Sequence, residues 1–176
     1  MRILKWLIGI VAVLAIVFFA GGALLPQTVT VARSIEINAP AEEIFPHVNS
    51  LKAGQVWSPW AGRDPDMAVD YSGPEEGVGA AMAWTSENPQ VGDGSQEITL
   101  SEADRRVETA LDFGDMGTAK AAFLLEASGG ATRVTWDLEA DMGSGPMGRW
   151  MGLMMDNWVG ADYEQGLQNL KALVES

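Results

Sequence analysis

Hydrophobic residues follow three different patterns along the 176-residue chain, and each pattern predicts a different element. Residues 7–25 form an uninterrupted apolar run, which is typical of a membrane-spanning helix. Residues 29–140 alternate apolar and polar positions in short stretches, and residues 146–175 have helical spacing. The sequence therefore predicts an N-terminal anchor over residues 1–25 and one folded domain over residues 26–176.

The apolar run contains 19 residues and no charged side chain. At about 1.5 Å per residue a helix of this length is roughly 28 Å long, close to the ~30 Å hydrocarbon core of a bilayer. Arg2 and Lys5 precede the run, and Trp6 lies where an interfacial aromatic residue would be. By the positive-inside rule we expect a single-pass protein of the cell membrane, with a cytoplasmic N-terminus and a domain on the periplasmic or outer side.

A cleaved signal peptide is the alternative interpretation of this segment, because basic residues also precede the apolar core of a signal sequence. However, the run is longer than the usual core of about 7–15 residues, and no Ala-x-Ala cleavage site follows it. The sequence therefore favours retention of the segment as an anchor.

The domain is predicted to be α+β. Residues 29–37 predict a strand, and Pro40 with two following glutamates predicts the start of a short helix. Six more strand-like runs are separated by turns at hairpin spacing, which implies antiparallel pairing. These runs are residues 67–71, 79–85, 96–101, 106–113, 119–127 and 132–140. The helix at the C-terminus is the only long element available to cover the resulting seven-stranded sheet.

The charge of the domain restricts its partners. Only two of the 11 basic side chains, Arg2 and Lys5, precede the apolar run, so the remaining chain carries nine basic and all 24 acidic side chains, a net charge of −15. Such a surface repels nucleic acid phosphates and anionic headgroups, so we expect no nucleic acid partner. The absence of cysteine excludes disulfides and thiol chemistry.

Several short motifs accompany the predicted order of strand, short helix, six strands and long helix. They are residues 33–40 (RSIEINAP), 57–60 (WSPW), 73–80 (GPEEGVGA), 134–136 (VTW) and 163–167 (YEQGL). In this order they resemble the START-like, or SRPBCC, superfamily, specifically its polyketide cyclase/dehydrase and lipid-transport branch. The resemblance implies a helix-grip fold, in which a curved seven-stranded antiparallel sheet surrounds the C-terminal helix and encloses an apolar cavity. It implies less about activity, because the superfamily contains both carriers and enzymes.

The residues that usually carry catalysis or bind metals are scarce. His47 is the only histidine, so His-based triads and metal sites are excluded. Asp64 and Asp66 have the spacing of part of a calcium loop, but the required glycine and distal glutamate do not follow. Asp156 interrupts the apolar run of the last helix and is assigned to its solvated side. We expect no catalytic residue, no metal and no cofactor.

Tryptophan and methionine are the residue types most open to a functional interpretation, because they suit a cavity that accepts varied apolar ligands. Met147, Met151, Met154 and Trp158 are spaced so that they share one helix face. The candidate ligand-binding residues are Trp57, Trp60, Tyr71, Met82, Trp84, Phe113, Phe123, Trp136, Met151, Met154 and Trp158. An ordinary packed core is the alternative for each of them.

The sequence thus favours a membrane-tethered domain that binds a hydrophobic small molecule, lipid- or isoprenoid-like. One alternative is a polyketide cyclase- or hydratase-like enzyme, which would require polar groups converging inside the cavity. The other is an interaction domain for an envelope protein, in which the cavity would be closed. Neither the ligand nor any protein partner is identified by the sequence.

Overall fold

The computed structural model describes residues 2–176 and contains one apolar helix followed by an α+β domain. The helices are α1 (Arg2–Leu24), α2 (Ala41–Val48), α3 (Leu51–Gly54), α4 (Pro59–Arg63) and α5 (Pro146–Val174). The strands are β1 (Thr28–Ile37), β2 (Ala68–Ser72), β3 (Ala81–Thr85), β4 (Gly94–Glu102), β5 (Arg106–Asp112), β6 (Thr118–Ser128) and β7 (Ala131–Asp141). The predicted fold class, the seven strands and the long terminal helix are confirmed.

The seven strands form one antiparallel sheet in the order β1-β7-β6-β5-β4-β3-β2. The first strand therefore pairs with the last, from Thr28 opposite Asp141 to Ile37 opposite Thr132. One face of the sheet is buried, and the alternation along β6 and β7 shows it most clearly. The buried side chains of that face include Val31, Ile98, Val107, Phe123, Leu125, Val134, Trp136 and Leu138.

The segment 54–65, predicted from the sequence to be irregular, contains the whole of α4 and begins at the last residue of α3. Each of these short helices begins after a serine. Ser50 Oγ accepts a hydrogen bond from the backbone N–H of Ala53, and Ser58 Oγ accepts one from Ala61. Pro59 occupies the first turn of α4. Serine caps and a proline in the first turn are helix-start signals that could have been recognised in the sequence.

Glycines allow α5 to lie directly on the sheet, close to its β1 edge. A Cβ atom on Gly152 would lie 2.8 Å from Val29 Cγ2, and one on Gly166 would lie 2.8 Å from the ring of Trp136. Gly160 lies against the guanidinium of Arg33. The side of α5 that approaches β1 is thus partly built from residues without side chains, and several of its apolar side chains point elsewhere.

The apolar helix α1 joins the domain through only three residues, Leu25 to Gln27. Residues Ile3–Leu24 are long and apolar enough to cross a membrane, as an anchor or a signal sequence would be. Gln27 already belongs to the sheet edge, since its carbonyl accepts a 2.8 Å hydrogen bond from the backbone N–H of Met142. The connection is therefore short and fixed at its domain end.

The last turns of α1 also pack against the first turns of α5. Trp150 Nε1 donates a 3.0 Å hydrogen bond to the carbonyl of Phe18. Arg149 Nη1 donates to the carbonyls of Ala23 and Leu25, at 3.0 and 3.2 Å. Gly22 permits the close approach, because a Cβ atom there would lie 2.6 Å from Pro146 Cβ. The apolar helix and the domain thus form a packed unit at this end of the sheet.

Candidate functional site

A cavity of about 440 Å³ lies between the buried face of the sheet, the short helices α2–α4 and the long helix α5. Its walls are mainly aromatic and aliphatic side chains from all three sources. It exists because α5 covers mainly the β1 edge, while the short helices lie over the middle of the sheet. The space between these two covers is only partly filled by side chains.

The inner end of the cavity is closed by a packed aromatic cluster. Trp136 stacks on Tyr163 with ring centroids 3.8 Å apart and on Phe123 at 4.8 Å. Trp57 meets Phe123 and Trp136 edge-on, and Trp60 meets Trp136 and Tyr163 in the same way. These rings therefore belong both to the core and to the cavity wall, since most of the surface of each ring contacts neighbouring side chains.

Hydrogen bonds hold Trp57 in this cluster. Its indole Nε1 donates to the carbonyl of His47 at 3.1 Å, and its own carbonyl accepts from Asn169 Nδ2 at 3.1 Å. His47 lines the cavity, and its carbonyl thereby joins α2 to the WSPW segment. These hydrogen bonds connect α2, residues 57–60 and α5 at the closed end of the cavity.

The other end of the cavity is looser and includes exposed residues. Trp84 and Phe113 make an edge-on pair with centroids 6.1 Å apart. Met116, which is 74% exposed, and Trp158, which is 50% exposed, also line the cavity. This end of the cavity is therefore its open end.

Polar groups inside the cavity are few, and most already have a partner. Gln96 Nε2 donates a 3.0 Å hydrogen bond to Thr109 Oγ1, and both residues face inward from β4 and β5. Gln55 Nε2 lies 3.5 Å from Met82 Sδ. The interior therefore offers amide and hydroxyl groups that could orient a ligand.

The hydroxyl of Tyr163 is the buried titratable group of the cavity wall. Burial raises its pKa far above the usual value for tyrosine, and the nearby carboxylate of Asp137 raises it further. The hydroxyl therefore stays protonated at neutral pH. It can donate a hydrogen bond to a ligand, but it does not supply a base.

Most residues that the sequence singled out as ligand-binding do line the cavity. They are Trp57, Trp60, Met82, Trp84, Phe113, Phe123, Trp136 and Trp158. Three others lie outside it: Tyr71 on the edge strand β2, and Met151 and Met154 on α5, each about 45% exposed. The two methionines lie outside because the adjacent helix face, with Gly152, Met155 and Val159, is the one that packs inward. Ligand binding by any of these residues stays a prediction.

Several cavity residues were not expected from the sequence. Tyr163 follows Val159 by four residues, so the helical period could have placed it on the inward face. Gln96 shares strand parity with the buried Ile98, a signal for an inward polar group. Met116 ends a single 3₁₀ turn, Gly114–Met116, and carries no comparable signal.

The acidic residues that the sequence considered as functional groups have structural roles. Arg33 donates hydrogen bonds to Asp156 at 2.9 Å and to Glu164 at 2.6 Å, across the backbone of α5 at Gly160. The bond from Arg33 lowers the pKa of the exposed Asp156 carboxyl. Asp64 accepts hydrogen bonds from Ser86 and from the backbone N–H of Asp66, and so orders its loop.

A second, wider depression lies on the opposite face of the sheet. It has a volume of about 910 Å³ and is lined by residues of β1–β7, including the outward-facing Ala83, Ala110 and Lys120. Its walls are short side chains and charged groups, which is typical of a solvated sheet face. Met82, Gln96, Leu111 and Ala119 line both this depression and the apolar cavity, so only the sheet separates the two.

Comparison with known proteins places this geometry in a family. A family model described as polyketide cyclase / dehydrase and lipid transport matches residues 28–175. Among curated proteins, none matches the sequence.

Solved structures share the fold at low sequence identity. The crystal structure of Ara h 8.0201 has a TM-score of 0.62 and 12% identity, covering 84% of this chain and 97% of that one. TTHA0849 from Thermus thermophilus has a TM-score of 0.60 and 15% identity, covering 82% and 96%. DynU16, from the dynemicin biosynthetic locus, has a TM-score of 0.58 and 15% identity, covering 84% of this chain and 47% of that one. These similarities confirm the helix-grip fold and carry no information on the ligand.

The buried hydroxyl of Tyr163 predicts a loss of stability at alkaline pH. Because its pKa is raised in the folded chain, the unfolded chain binds fewer protons above the ordinary tyrosine pKa of about 10, and the free energy of unfolding falls as pH rises beyond it. Tyr163→Phe should flatten this decline in chemical denaturation at a series of alkaline pH values. Tyr71→Phe is the matched control and should keep most of it. Parallel pH profiles for Tyr163→Phe and the wild type would contradict the assignment.

Proposed function

The chain belongs to the polyketide cyclase/dehydrase and lipid-transport family, whose model covers residues 28–175, and on that premise we propose that its domain binds a hydrophobic small molecule, lipid- or isoprenoid-like, in the cavity beneath α5. The observation that carries the proposal is the cavity itself. Its volume of about 440 Å³ lies within the range of roughly 300–1,000 Å³ that small-molecule sites occupy. A domain that served only as a protein interaction surface would have no need of such a space.

The strength of binding can be estimated from the apolar lining. An acyl chain that buries eight to ten methylenes gains about 6–8 kcal/mol of transfer free energy, at roughly 0.8 kcal/mol each. Association costs remove part of this gain, which leaves an affinity of order micromolar. That value suits a carrier, which must release its ligand as well as hold it.

The chemistry of the lining supports binding over catalysis. Asp162 is the one carboxylate that lines the cavity among the described residues, and it is held in an ion pair by Arg63. Tyr163 is kept protonated by burial. General acid–base catalysis requires groups that can exchange a proton near the working pH. His47 also lines the cavity, and among the described residues no carboxylate pairs with its imidazole to make a catalytic dyad. Other polar lining groups, such as Gln55, Gln96 and Thr109, are suited to orient a polar end of the ligand.

We further propose that α1 is retained and tethers the domain to the cell membrane. The apolar helix is long enough to span the hydrocarbon core, and the basic residue Lys5 lies near its N-terminal end. The positive-inside rule then assigns the N-terminus to the cytoplasm and residues 26–176 to the extracytoplasmic side. The packing of Trp150 and Arg149 on the end of α1 supports a retained helix, because cleavage would remove their partners.

Filling the cavity should abolish binding. Ala121 is 4% exposed and faces the cavity from β6, so Ala121→Phe places a ring in the ligand space. Titration of residues 26–176 with a long-chain fatty acid below its micelle concentration should change tryptophan fluorescence saturably in the wild type and not in this variant. Ala110→Phe is the matched control. It lies on the neighbouring strand, in the depression on the opposite face, and should respond like the wild type.

The same variants separate a cavity from a fully packed core. In a packed core, Ala121→Phe would cost about 1–3 kcal/mol through overpacking. In a cavity the ring has space, and the melting temperature should stay the same or rise. A strongly destabilised variant, together with a wild type that gives no fluorescence response, would refute the binding proposal.

The proposed topology predicts the behaviour of C-terminal fusions. Alkaline phosphatase fused after Ser176 should be active, because it folds only on the extracytoplasmic side. Green fluorescent protein fused at the same position and exported by the Sec route should be dark. The reverse pattern would show that the domain faces the cytoplasm, and N-terminal sequencing that began near Gln27 would show a cleaved signal peptide.

A further inference from the structure

Four large apolar side chains of α5 are exposed along one side of the helix, next to the face that packs on the sheet. Met147, Met151, Met154 and Trp158, here called the methionine stripe, are spaced four, three and four residues apart and are 62%, 45%, 44% and 50% exposed. A stripe of this spacing normally faces a core. In α5 the adjacent, partly glycine-lined face packs inward instead, so the described residues leave the stripe about half exposed, and Trp158 is the one member that also lines the cavity.

The position of the stripe relative to α1 indicates what covers it. Trp150 lies between Met147 and Met151 in sequence, and its indole reaches the carbonyl of Phe18. Phe18 lies six residues before the end of α1 at Leu24, which is about 9 Å along the helix. If α1 spans the bilayer, as proposed above, the first turns of α5 lie at the depth of its outer boundary. The stripe then continues the lipid-facing surface of α1.

The short connection keeps the domain in this position. Residues 25–27 can extend over roughly 10 Å at most, and Gln27 is already hydrogen-bonded to Met142 at the sheet edge. The first residues of β1 and the last residues of β7 therefore stay next to the end of α1. The domain has no freedom to lift the stripe far from the membrane.

The open end of the cavity lies at the same end of the sheet. The start of β4 pairs with the end of β5 (Ser95 opposite Asp112), and the end of β5 pairs with the start of β6 (Asp112 opposite Thr118). The end of β7 pairs with the start of β1 (Thr28 opposite Asp141), so all five strand ends lie at the same end of the sheet. Phe113 and Met116 follow β5 at this end. The exposed lining residues of the cavity thus face the side on which α1 emerges.

The distribution of charge also fits a lipid surface. The chain carries 24 acidic side chains, yet residues 142–155 contain none and hold a single basic residue, Arg149. Arg149 is occupied by the C-terminal carbonyls of α1. The segment that adjoins the anchor is therefore apolar and nearly uncharged, in a domain whose overall charge would otherwise repel anionic headgroups.

From these observations we propose that the methionine stripe, together with Met116, lies in the interface of the bilayer that α1 spans. The cavity then opens towards lipid, and its ligand passes between membrane and cavity without crossing water. The proposal rests on the tether and the ligand site proposed above. Trp158 lies at both surfaces, since it belongs to the stripe and lines the cavity. Tryptophan and methionine suit this position, because the first favours membrane interfaces and the second adapts to mobile apolar partners.

Site-specific fluorescence in vesicles tests the seating. The chain has no cysteine, so each introduced cysteine can be labelled alone with an environment-sensitive NBD group. We expect labels at Met151→Cys and Met154→Cys, in the full chain reconstituted in phosphatidylcholine vesicles, to be quenched by doxyl-labelled lipid and protected from aqueous iodide. Phe19→Cys, exposed on α1, is the positive control, and Val78→Cys, exposed at the opposite end of the sheet, is the negative control.

Each outcome of this experiment decides the proposal. Lipid quenching at Phe19→Cys but iodide quenching at the stripe would keep the tether and overturn the seating. Protection from both quenchers at the stripe would mean that a protein, either a second copy or another partner, covers it, which also overturns the seating. Absence of lipid quenching at Phe19→Cys would refute the tether, and the seating with it.

Uptake of a photoreactive ligand tests the route. A diazirine-labelled fatty acid, placed in the vesicles that hold the full chain, should crosslink to peptides of the cavity wall such as the one containing Phe123. The double variant Met151→Glu and Met154→Glu puts charge on the stripe and should slow crosslinking about tenfold, while Val78→Glu should not change it. Equal rates in both variants would overturn the route. Absence of crosslinking in the wild type would refute the ligand site and the route, while the quenching data would still decide the seating.

Discussion

A single α-helix is much narrower than the sheet that it has to cover, and most features of this domain follow from that mismatch. Seven strands spaced about 4.8 Å apart span roughly 29 Å, whereas a helix with its side chains is about 10–12 Å wide. α5 therefore covers mainly the edge formed by β1. The rest of the buried face is covered by the short helices α2–α4 and by large side chains, of which Trp57 and Trp60 are the main ones. The cavity is the space that these covers leave.

The glycines of α5 determine how that space is arranged. Because Gly166 brings the helix axis close to the ring of Trp136, the aromatic cluster around Trp136 packs tightly at one end. At the other end the inward face carries Met155 and Val159, which are only partly buried, and the cavity remains open. Because this face of α5 packs inward, the methionine stripe on the neighbouring face remains exposed. The closed end of the cavity, its open end and the exposed methionine stripe are therefore consequences of one packing arrangement.

Much of this could be predicted from the sequence, because strand parity and turn spacing report the burial of a sheet directly. The seven strands, the terminal helix and the inward positions of Met82, Trp84 and Trp136 follow from the pattern. The orientation of α5 does not. Its apolar face at Met151 and Met154 satisfies the rule for a core-facing helix, and only the close contacts at the glycines show that the neighbouring face is the one that packs. A hydrophobic pattern identifies the side chains that avoid water, but it cannot distinguish those that face a protein core from those that face lipid.

The family and the fold are established, and we propose that the cavity holds a hydrophobic ligand close to the membrane. Native mass spectrometry of the full chain, purified from its host and combined with solvent extraction, tests this claim most directly. We expect one dominant hydrophobic molecule, bound one per chain and retained through detergent exchange. A spectrum of the unliganded chain alone, or an extract that only reproduces the bulk lipids of the membrane, would contradict it.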